Sequence, residues 1–151
     1  MLDYPREASL ADIPRPLKAL VVEDDPDLLA AMMWFMRTEM RLDPLGAYDY
    51  CGALIQLEHS NPDVVSIDLT LPRESGFELC EYIRRRPRSE HVPILVTREA
   101  PLPEDMAHAE EAGANLFLEK PFGMRDLATH ITALVERPKV SRPGLRFLRL
   151  F

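Results

Sequence analysis

Near the middle of the chain stands the sequence Val64-Val65-Ser66-Ile67-Asp68-Leu69-Thr70-Leu71-Pro72-Arg73-Glu74-Ser75-Gly76. Its first four residues are rich in β-branched side chains and a loop with Pro and Gly follows, so we predict a short buried strand that ends at Asp68. A carboxylate in that place is desolvated on one side and open to a crevice on the other. Such a residue can bind a metal, accept a proton or act as a nucleophile, or it can simply cap the turn.

Length and composition indicate one ordinary domain. The chain has 151 residues, of which 46% are hydrophobic and 28% are charged, as in soluble globular proteins. It has no apolar run of about 18 residues and no signal-peptide pattern, so we expect a cytoplasmic protein. Cys51 and Cys80 form no CxxC pair, which argues against zinc, and both fall at apolar helix positions where we expect core side chains.

The net charge of −7 is unevenly distributed. All of the acidic residues lie in the first 136 positions. Five basic residues follow them: Arg137, Lys139, Arg142, Arg146 and Arg149. Such an acidic body argues against nucleic acid as a direct ligand of the domain.

Hydrophobic periodicity predicts five strand–helix pairs. The strands are predicted at Leu17 to Val22, Arg41 to Ala47 (an edge strand because of Pro44), Val64 to Asp68, Pro93 to Thr97 and Asn115 to Leu118. The helices are predicted from Pro26 (capped by Asp25), from Tyr50, from Ser75 to Arg85, from Glu104 to Ala112 and from Met124 to Val135. The fourth helix has a weak apolar stripe, which suggests a loosely held element.

Five such units with strongly apolar strands predict a parallel sheet that helices cover on both faces. Ligands of open parallel sheets bind beyond the carboxyl ends of the strands. The residues predicted at that rim are Glu23, Asp24, Asp68, Thr97 and Lys120. Clustered carboxylates suit Mg²⁺, a neutralised Asp can attack phosphorus, and a hydroxyl and an ammonium can complement phosphoryl oxygens.

In these motifs the sequence resembles the receiver domain of two-component response regulators. The matching segments are Leu20 to Asp25, Asp68 with Pro72 and Gly76, Pro93 to Thr97, and Lys120-Pro121-Phe122. The resemblance spans about Leu17 to Glu136 and implies a flavodoxin-like (βα)5 fold with strand order 2-1-3-4-5. It also implies a cis Lys120–Pro121 peptide bond.

The resemblance further implies roles for individual residues. Asp68 would be the phosphoacceptor, and Mg²⁺ would be held by Asp24, Asp68 and the backbone carbonyl of Thr70, with Glu23 acting through water. Thr97 and Lys120 would contact the phosphoryl group, and Thr97 and Phe117 would form the switch pair. The fourth helix, fifth strand and fifth helix would form the face that partners read.

The sequence departs from the family pattern at two positions. Arg98 stands where a small residue usually follows the switch threonine, and it could clasp the phosphate, crowd the entrance or point outward. Phe117 lacks the hydroxyl of the tyrosine that is frequent there. Trp34 lies off the apolar stripe of the first helix, so it is either a docking residue for the phosphodonor or a scattered surface aromatic.

Function is therefore predicted as a single-domain response regulator and not an enzyme. A histidine kinase or phosphotransfer protein would phosphorylate Asp68 and so switch protein–protein interactions, or the chain would pass the group along a relay. The alternatives are a receiver-like interaction module that ignores phosphorylation and an Asp-nucleophile phosphatase. The phosphatase is disfavoured because Asp68 lies on the third strand and no cap-sized insertion exists.

The two ends are predicted to lie outside the domain of residues 17–136. Residues 1–16 contain three prolines and read as a loose extension. Residues 137–151 form a basic and apolar tail, which either packs on its own domain or docks on a partner or a second copy near the switch face. Because only 15 residues follow Glu136, we expect no DNA-binding or catalytic output domain there.

Overall fold

The computed structural model describes residues 15–73 and 75–136. Its strands are β1 (Lys18–Val22), β2 (Asp43–Ala47), β3 (Val64–Asp68), β4 (Ile94–Glu99) and β5 (Leu116–Lys120). Its helices are α1 (Pro26–Thr38), α2 (Tyr50–His59), α3 (Gly76–Arg85), α4 (Pro103–Ala112) and α5 (Met124–Val135). The strands form one parallel sheet in the order β2-β1-β3-β4-β5, which confirms the predicted fold. The predicted tail lies outside the described residues.

Each face of the sheet packs against its own set of helices, because successive strand residues point to opposite faces. The face toward α2, α3 and α4 carries the strand residues Leu20, Val22, Val65, Ile67, Ile94 and Val96. The face toward α1 and α5 carries Ala19, Val21, Val64, Leu95, Leu116 and Leu118. Both sets of side chains are buried. A shift of any strand by one residue would turn its side chains to the opposite face, so the pairing register is strongly specified.

The same alternation determines where the polar residues at the strand ends are directed. Continuing it by one step places Glu23, Asp68, Thr97 and Lys120 on the face toward α1 and α5. Asp68 and Thr97 are also direct neighbours in the β3–β4 register. Phe117 belongs to the opposite face, where it is half-buried against the α2–α4 side of the core.

Two strands extend further than the sequence predicts. β4 continues past Thr97 to Glu99, and β5 continues past Leu118 to Lys120. The cause is mutual pairing, because Arg98 is opposite Glu119 and Glu99 is opposite Lys120 in the parallel ladder. Polar residues that look like loop in the sequence are thereby held in rigid strand.

The helices largely begin where their capping residues predict. The Asp25 side chain accepts hydrogen bonds from the amides of Asp27 and Leu28, and Pro26 opens α1. Cys80 is buried as predicted, but the prediction for Cys51 is wrong because its side chain is exposed. No helix in the described part of the chain is long and apolar enough to cross a membrane.

Candidate functional site

A crevice of about 460 Å³ opens at the carboxyl ends of the strands. It is lined by Glu23, Asp24, Asp25, Leu28, Asp68, Thr70, Arg98, Glu99 and Lys120. These residues come from β3, β4, β5, the loops that follow the first and third strands, and the first turn of α1. The predicted rim of carboxylates and a lysine is therefore one continuous surface.

Asp68 is a buried acid of the crevice that contacts a cation. Only 2% of its surface is exposed. Its Oδ1 accepts hydrogen bonds from the amide (2.9 Å) and the hydroxyl (2.8 Å) of Thr70, and its Oδ2 accepts one from Lys120 Nζ at 3.0 Å. Burial raises the pKa of Asp68, but these hydrogen bonds outweigh it and the net pKa is lowered. The carboxyl group is therefore ionised at neutral pH.

Lys120 bridges two acids. Its Nζ donates to Glu23 Oε2 at 2.8 Å as well as to Asp68, and its side chain is 11% exposed. Burial lowers the pKa of Lys120, yet the two carboxylates more than compensate and raise it. The Lys120–Pro121 peptide bond is cis, which confirms that prediction.

Glu23 is a buried acid whose pKa is raised. Burial, followed by the nearby charge of Asp68, raises the pKa of its carboxyl group to about 7, although the hydrogen bond from Lys120 acts in the opposite direction. Its Oε1 accepts a hydrogen bond from the amide of Asp25 at 3.2 Å. The protonated form of Glu23 is therefore favoured by burial more than the contact with Lys120 opposes it.

The acids fit a divalent cation. Glu23, Asp24 and Asp68 can each offer an oxygen, and these oxygens lie within 4.8 Å of one another. Mg²⁺ prefers such hard oxygen donors and takes only one or two carboxylates while keeping water ligands. Asp24 is exposed and lines the crevice, so it is accessible to an ion.

Thr97 has a buried hydroxyl that is unsatisfied. The residue is 1% exposed, and its Oγ1 finds no hydrogen-bond partner within the described ranges. An unpaired buried hydroxyl costs about 1–3 kcal/mol. A group that binds in the crevice could supply the missing hydrogen-bond partner of Thr97. Thr97 lies one strand from Asp68 on the same face.

The remaining predicted residues lie in three different environments. Arg98 lines the crevice and forms an ion pair with Asp105 of α4 at 2.9 Å. Phe117 lies on the other face of the sheet from Thr97. Trp34 is 60% exposed on α1, about 12 Å along the helix axis from its first residue at 1.5 Å per residue.

Sequence reasoning missed three features of the crevice. It assigned Thr70 only a backbone carbonyl role, whereas the Thr70 hydroxyl and amide both hold Asp68. A threonine two residues after an acid is a local signal for such a bond. Leu28 and Glu99 also line the crevice. Glu99 was missed because β4 was predicted to end too early.

This architecture defines the class of the protein. A doubly wound parallel sheet with its polar cluster at the carboxyl edge is the flavodoxin-like arrangement. The family model described as the response regulator receiver domain matches residues 19–132, so the chain belongs to that family. Receiver domains of response regulators accept phosphoryl groups from histidine kinases or phosphotransfer proteins and bind Mg²⁺.

Known relatives agree with this assignment. The chain is 29% identical over 120 residues to the phosphate regulon transcriptional regulatory protein PhoB of Escherichia coli (strain K12), covering 80% of this chain and 52% of PhoB. It is 35% identical over 120 residues to the sensory transduction protein BceR of Bacillus subtilis (strain 168), covering 80% and 50%. The chain thus spans about half the length of these curated relatives. Chemotaxis protein CheY4 of Vibrio cholerae shares the fold, with a TM-score of 0.76, 24% identity, and coverage of 79% of this chain and 98% of that one.

Proposed function

We propose that Asp68 is the phosphoacceptor of this receiver domain and that its phosphorylation changes which proteins the domain binds. The observation that supports this most is the state of the Asp68 carboxylate. It is ionised, held by Thr70 and Lys120, and faces an acidic crevice that fits a divalent cation. A carboxylate held in this way is a positioned nucleophile.

The chemistry follows from these contacts. A carboxylate oxygen of Asp68 attacks the phosphorus of a phosphohistidine, the N–P bond breaks, and the histidine nitrogen keeps the electron pair and then takes a proton. Lys120 Nζ, now 3.0 Å from Asp68, is placed to move onto a phosphoryl oxygen. The Thr97 hydroxyl can donate to another oxygen and so gain the partner that it lacks. A histidine kinase or a phosphotransfer protein supplies the group.

Mg²⁺ belongs to this proposal as the cofactor. Asp24, Asp68 and the backbone carbonyl of Thr70 would hold it, with Glu23 acting through water. When bound, it neutralises the negative charge that otherwise separates a carboxylate nucleophile from a phosphoryl group. The chain's own part is to keep several oxygen donors within reach of one ion.

The output is proposed to be a change at the α4–β5–α5 face. Thr97 lies beside Asp68 on the neighbouring strand, and Phe117 packs on the opposite face of β5. Movement of Thr97 toward a phosphoryl group would allow Phe117 to repack, which is how a bistable element transmits a local charge change. Trp34, exposed on α1, is proposed to help dock the phosphodonor.

The test is phosphorylation of the intact chain by acetyl phosphate or a cognate kinase, followed by intact mass measurement. We expect a single acid-labile phosphoryl group that requires Mg²⁺ and is absent from Asp68→Asn. Asp43→Asn, which changes an exposed acid at the opposite end of the sheet, is the matched control and should be phosphorylated normally. Phosphorylation that persists in Asp68→Asn, or that a chelator leaves unchanged, contradicts the proposal.

A further inference from the structure

Arg98 connects the crevice to the first turn of α4. It follows Thr97 on β4 and points to the opposite face, the side on which α4 packs. Its Nη1 donates to Asp105 Oδ1 at 2.9 Å, with 29% of the Arg98 side chain and 16% of the Asp105 side chain exposed. The same arginine lines the crevice that contains Asp68.

Asp105 in turn organises the start of α4. Its second oxygen, Oδ2, accepts a hydrogen bond from the amide of Leu102 at 2.8 Å, and Leu102 has no side-chain oxygen with which to cap the helix. Only Ala109 and Ala112 of this helix are fully buried, and both lie in its second half. The ion pair with Arg98 is therefore one of the contacts that hold the first turn against the sheet.

The charge balance of the crevice makes Arg98 available to an anion. Five carboxylates and two cations line it, and Lys120 is already shared between Glu23 and Asp68. Within the described part of the chain, Arg98 uses one of its five N–H donors, the one directed to Asp105. A phosphoryl group on Asp68 would bring a charge of about −2 and three strong acceptor oxygens to the same crevice.

We propose that Arg98 is a phosphoryl-binding latch. In the unphosphorylated domain it holds Asp105, and when Asp68 is phosphorylated it transfers to the phosphoryl oxygens and releases the first turn of α4. This inference rests on the proposed function, since it needs a phosphoryl group at Asp68. Partly exposed ion pairs contribute little to stability, whereas a guanidinium on a phosphoryl group makes stronger, often bidentate, bonds. The exchange is therefore favourable.

The experiment measures binding of the phosphoryl mimic beryllofluoride, with Mg²⁺ present, to the full chain by titration calorimetry. Arg98→Ala should weaken binding by about fivefold or more, because one charge-assisted contact is lost. Asp105→Asn removes the competing charge but keeps an oxygen for the Leu102 amide, so it should tighten binding by about threefold. That gain should vanish in the Arg98→Ala/Asp105→Asn double variant. Arg85→Ala is the control, since that side chain is 80% exposed on α3, and it should bind as the wild type does.

A second measurement follows the helix itself. Amide hydrogen exchange in the first turn of α4, including Asp105 and Met106, should speed up when the mimic binds to the wild type. In Arg98→Ala it should be fast before and after addition.

Each outcome separates the possibilities. Equal affinity of Arg98→Ala and wild type, or an Asp105→Asn gain that survives without Arg98, overturns the latch and leaves the proposed function intact. If Arg98 only stabilises α4 through Asp105, both single variants lose stability alike and neither changes the affinity for beryllofluoride. If the wild type takes up no mimic, the proposed function fails and the latch fails with it.

Discussion

At the residue scale, Asp68 owes its position to the glycine eight residues later. Gly76 packs directly on the backbone that carries the carboxylate, and its amide donates to the Leu69 carbonyl at 3.2 Å. A Cβ on Gly76 would overlap the carbonyl oxygen of Asp68 and lie 2.7 Å from Cα of Leu69. Both are backbone atoms, so neither can turn aside as a flexible side chain would.

We therefore expect Gly76→Ala to lower the free energy of unfolding by about 1–3 kcal/mol, the usual cost of overpacking. It should also slow phosphorylation of Asp68 by acetyl phosphate, because the loop must shift. Urea unfolding and intact mass measure the two effects. Gly123→Ala is the control: its Cβ would be 3.8 Å from the nearest atom, an Asp126 oxygen, and its backbone is not in the left-handed region. Should both variants behave alike, the close approach of Gly76 is unimportant.

The side chains at strand ends were predictable from sequence, while their contacts were not. Glu23, Asp68 and Lys120 each follow a run of apolar residues, and parallel strands bring their carboxyl ends to one edge. The Arg98–Asp105 pair depends on where α4 lies, which no local pattern specifies. The lack of a partner for the buried Thr97 hydroxyl depends equally on tertiary packing.

At the element scale, a single arginine joins α3 to the segment that precedes β4 and to the segment that follows α4. Arg84 donates to the carbonyl oxygens of Glu90 (3.1 Å), Val92 (2.6 Å) and Gly113 (3.0 Å) and to Asn115 Oδ1 (2.9 Å). All four acceptors are neutral, and burial lowers the pKa of Arg84. Asn115 Oδ1 also accepts from the Ile94 amide at 2.8 Å, so the network extends to the start of β4.

Arg84→Ala should lower the free energy of unfolding by about 2–4 kcal/mol, since it leaves several half-buried acceptors without their charged donor. Arg84→Lys should recover only part of this loss, because an ammonium cannot reproduce the planar fork. The neighbouring Arg85→Ala changes an exposed side chain and should stay within about 0.5 kcal/mol of the wild type. Denaturant unfolding of the three variants is the measurement. If Arg85→Ala lowers the free energy of unfolding as much as Arg84→Ala does, the hydrogen bonds of Arg84 do not stabilise the domain.

Element ends and helix faces show where sequence patterns stop being informative. β4 and β5 were predicted too short because their last residues are polar, and only pairing between the strands keeps them extended. α2 carries apolar residues on several sides, so Cys51 was placed inward although only Ala53 and Leu57 are fully buried. Both errors arise because periodicity identifies a face only when the polar and apolar residues are cleanly segregated.

At the scale of the whole molecule, the burial of Glu23 makes the stability of the domain depend on pH. The carboxyl group of Glu23 has an ordinary pKa of 4.5 and a pKa of about 7 in the folded domain. Folding therefore favours its protonated form, and the stability that this contributes is present below about pH 4.5 and lost as the pH rises through about 7. The lowered pKa of Asp68 works in the opposite direction, and its contribution is lost only as the pH falls below the ordinary value of 3.8. Between about pH 4.5 and pH 7, Glu23 therefore dominates the pH dependence of the site.

Because the pKa of Glu23 is raised, removing its charge should change how stability depends on pH. In a chelator, the wild type should lose about 2 kcal/mol of stability relative to Glu23→Gln between about pH 5 and pH 8, since Gln keeps an oxygen for Lys120 but no titrating charge. Saturating Mg²⁺ should abolish that difference, because a cation among Glu23, Asp24 and Asp68 offsets the carboxylate charge. Urea unfolding at several pH values measures it, with Glu119→Gln, an exposed acid on β5, as the control that keeps the wild-type slope. Parallel slopes for wild type and Glu23→Gln in chelator would mean that the charge of Glu23 is already neutralised within the domain.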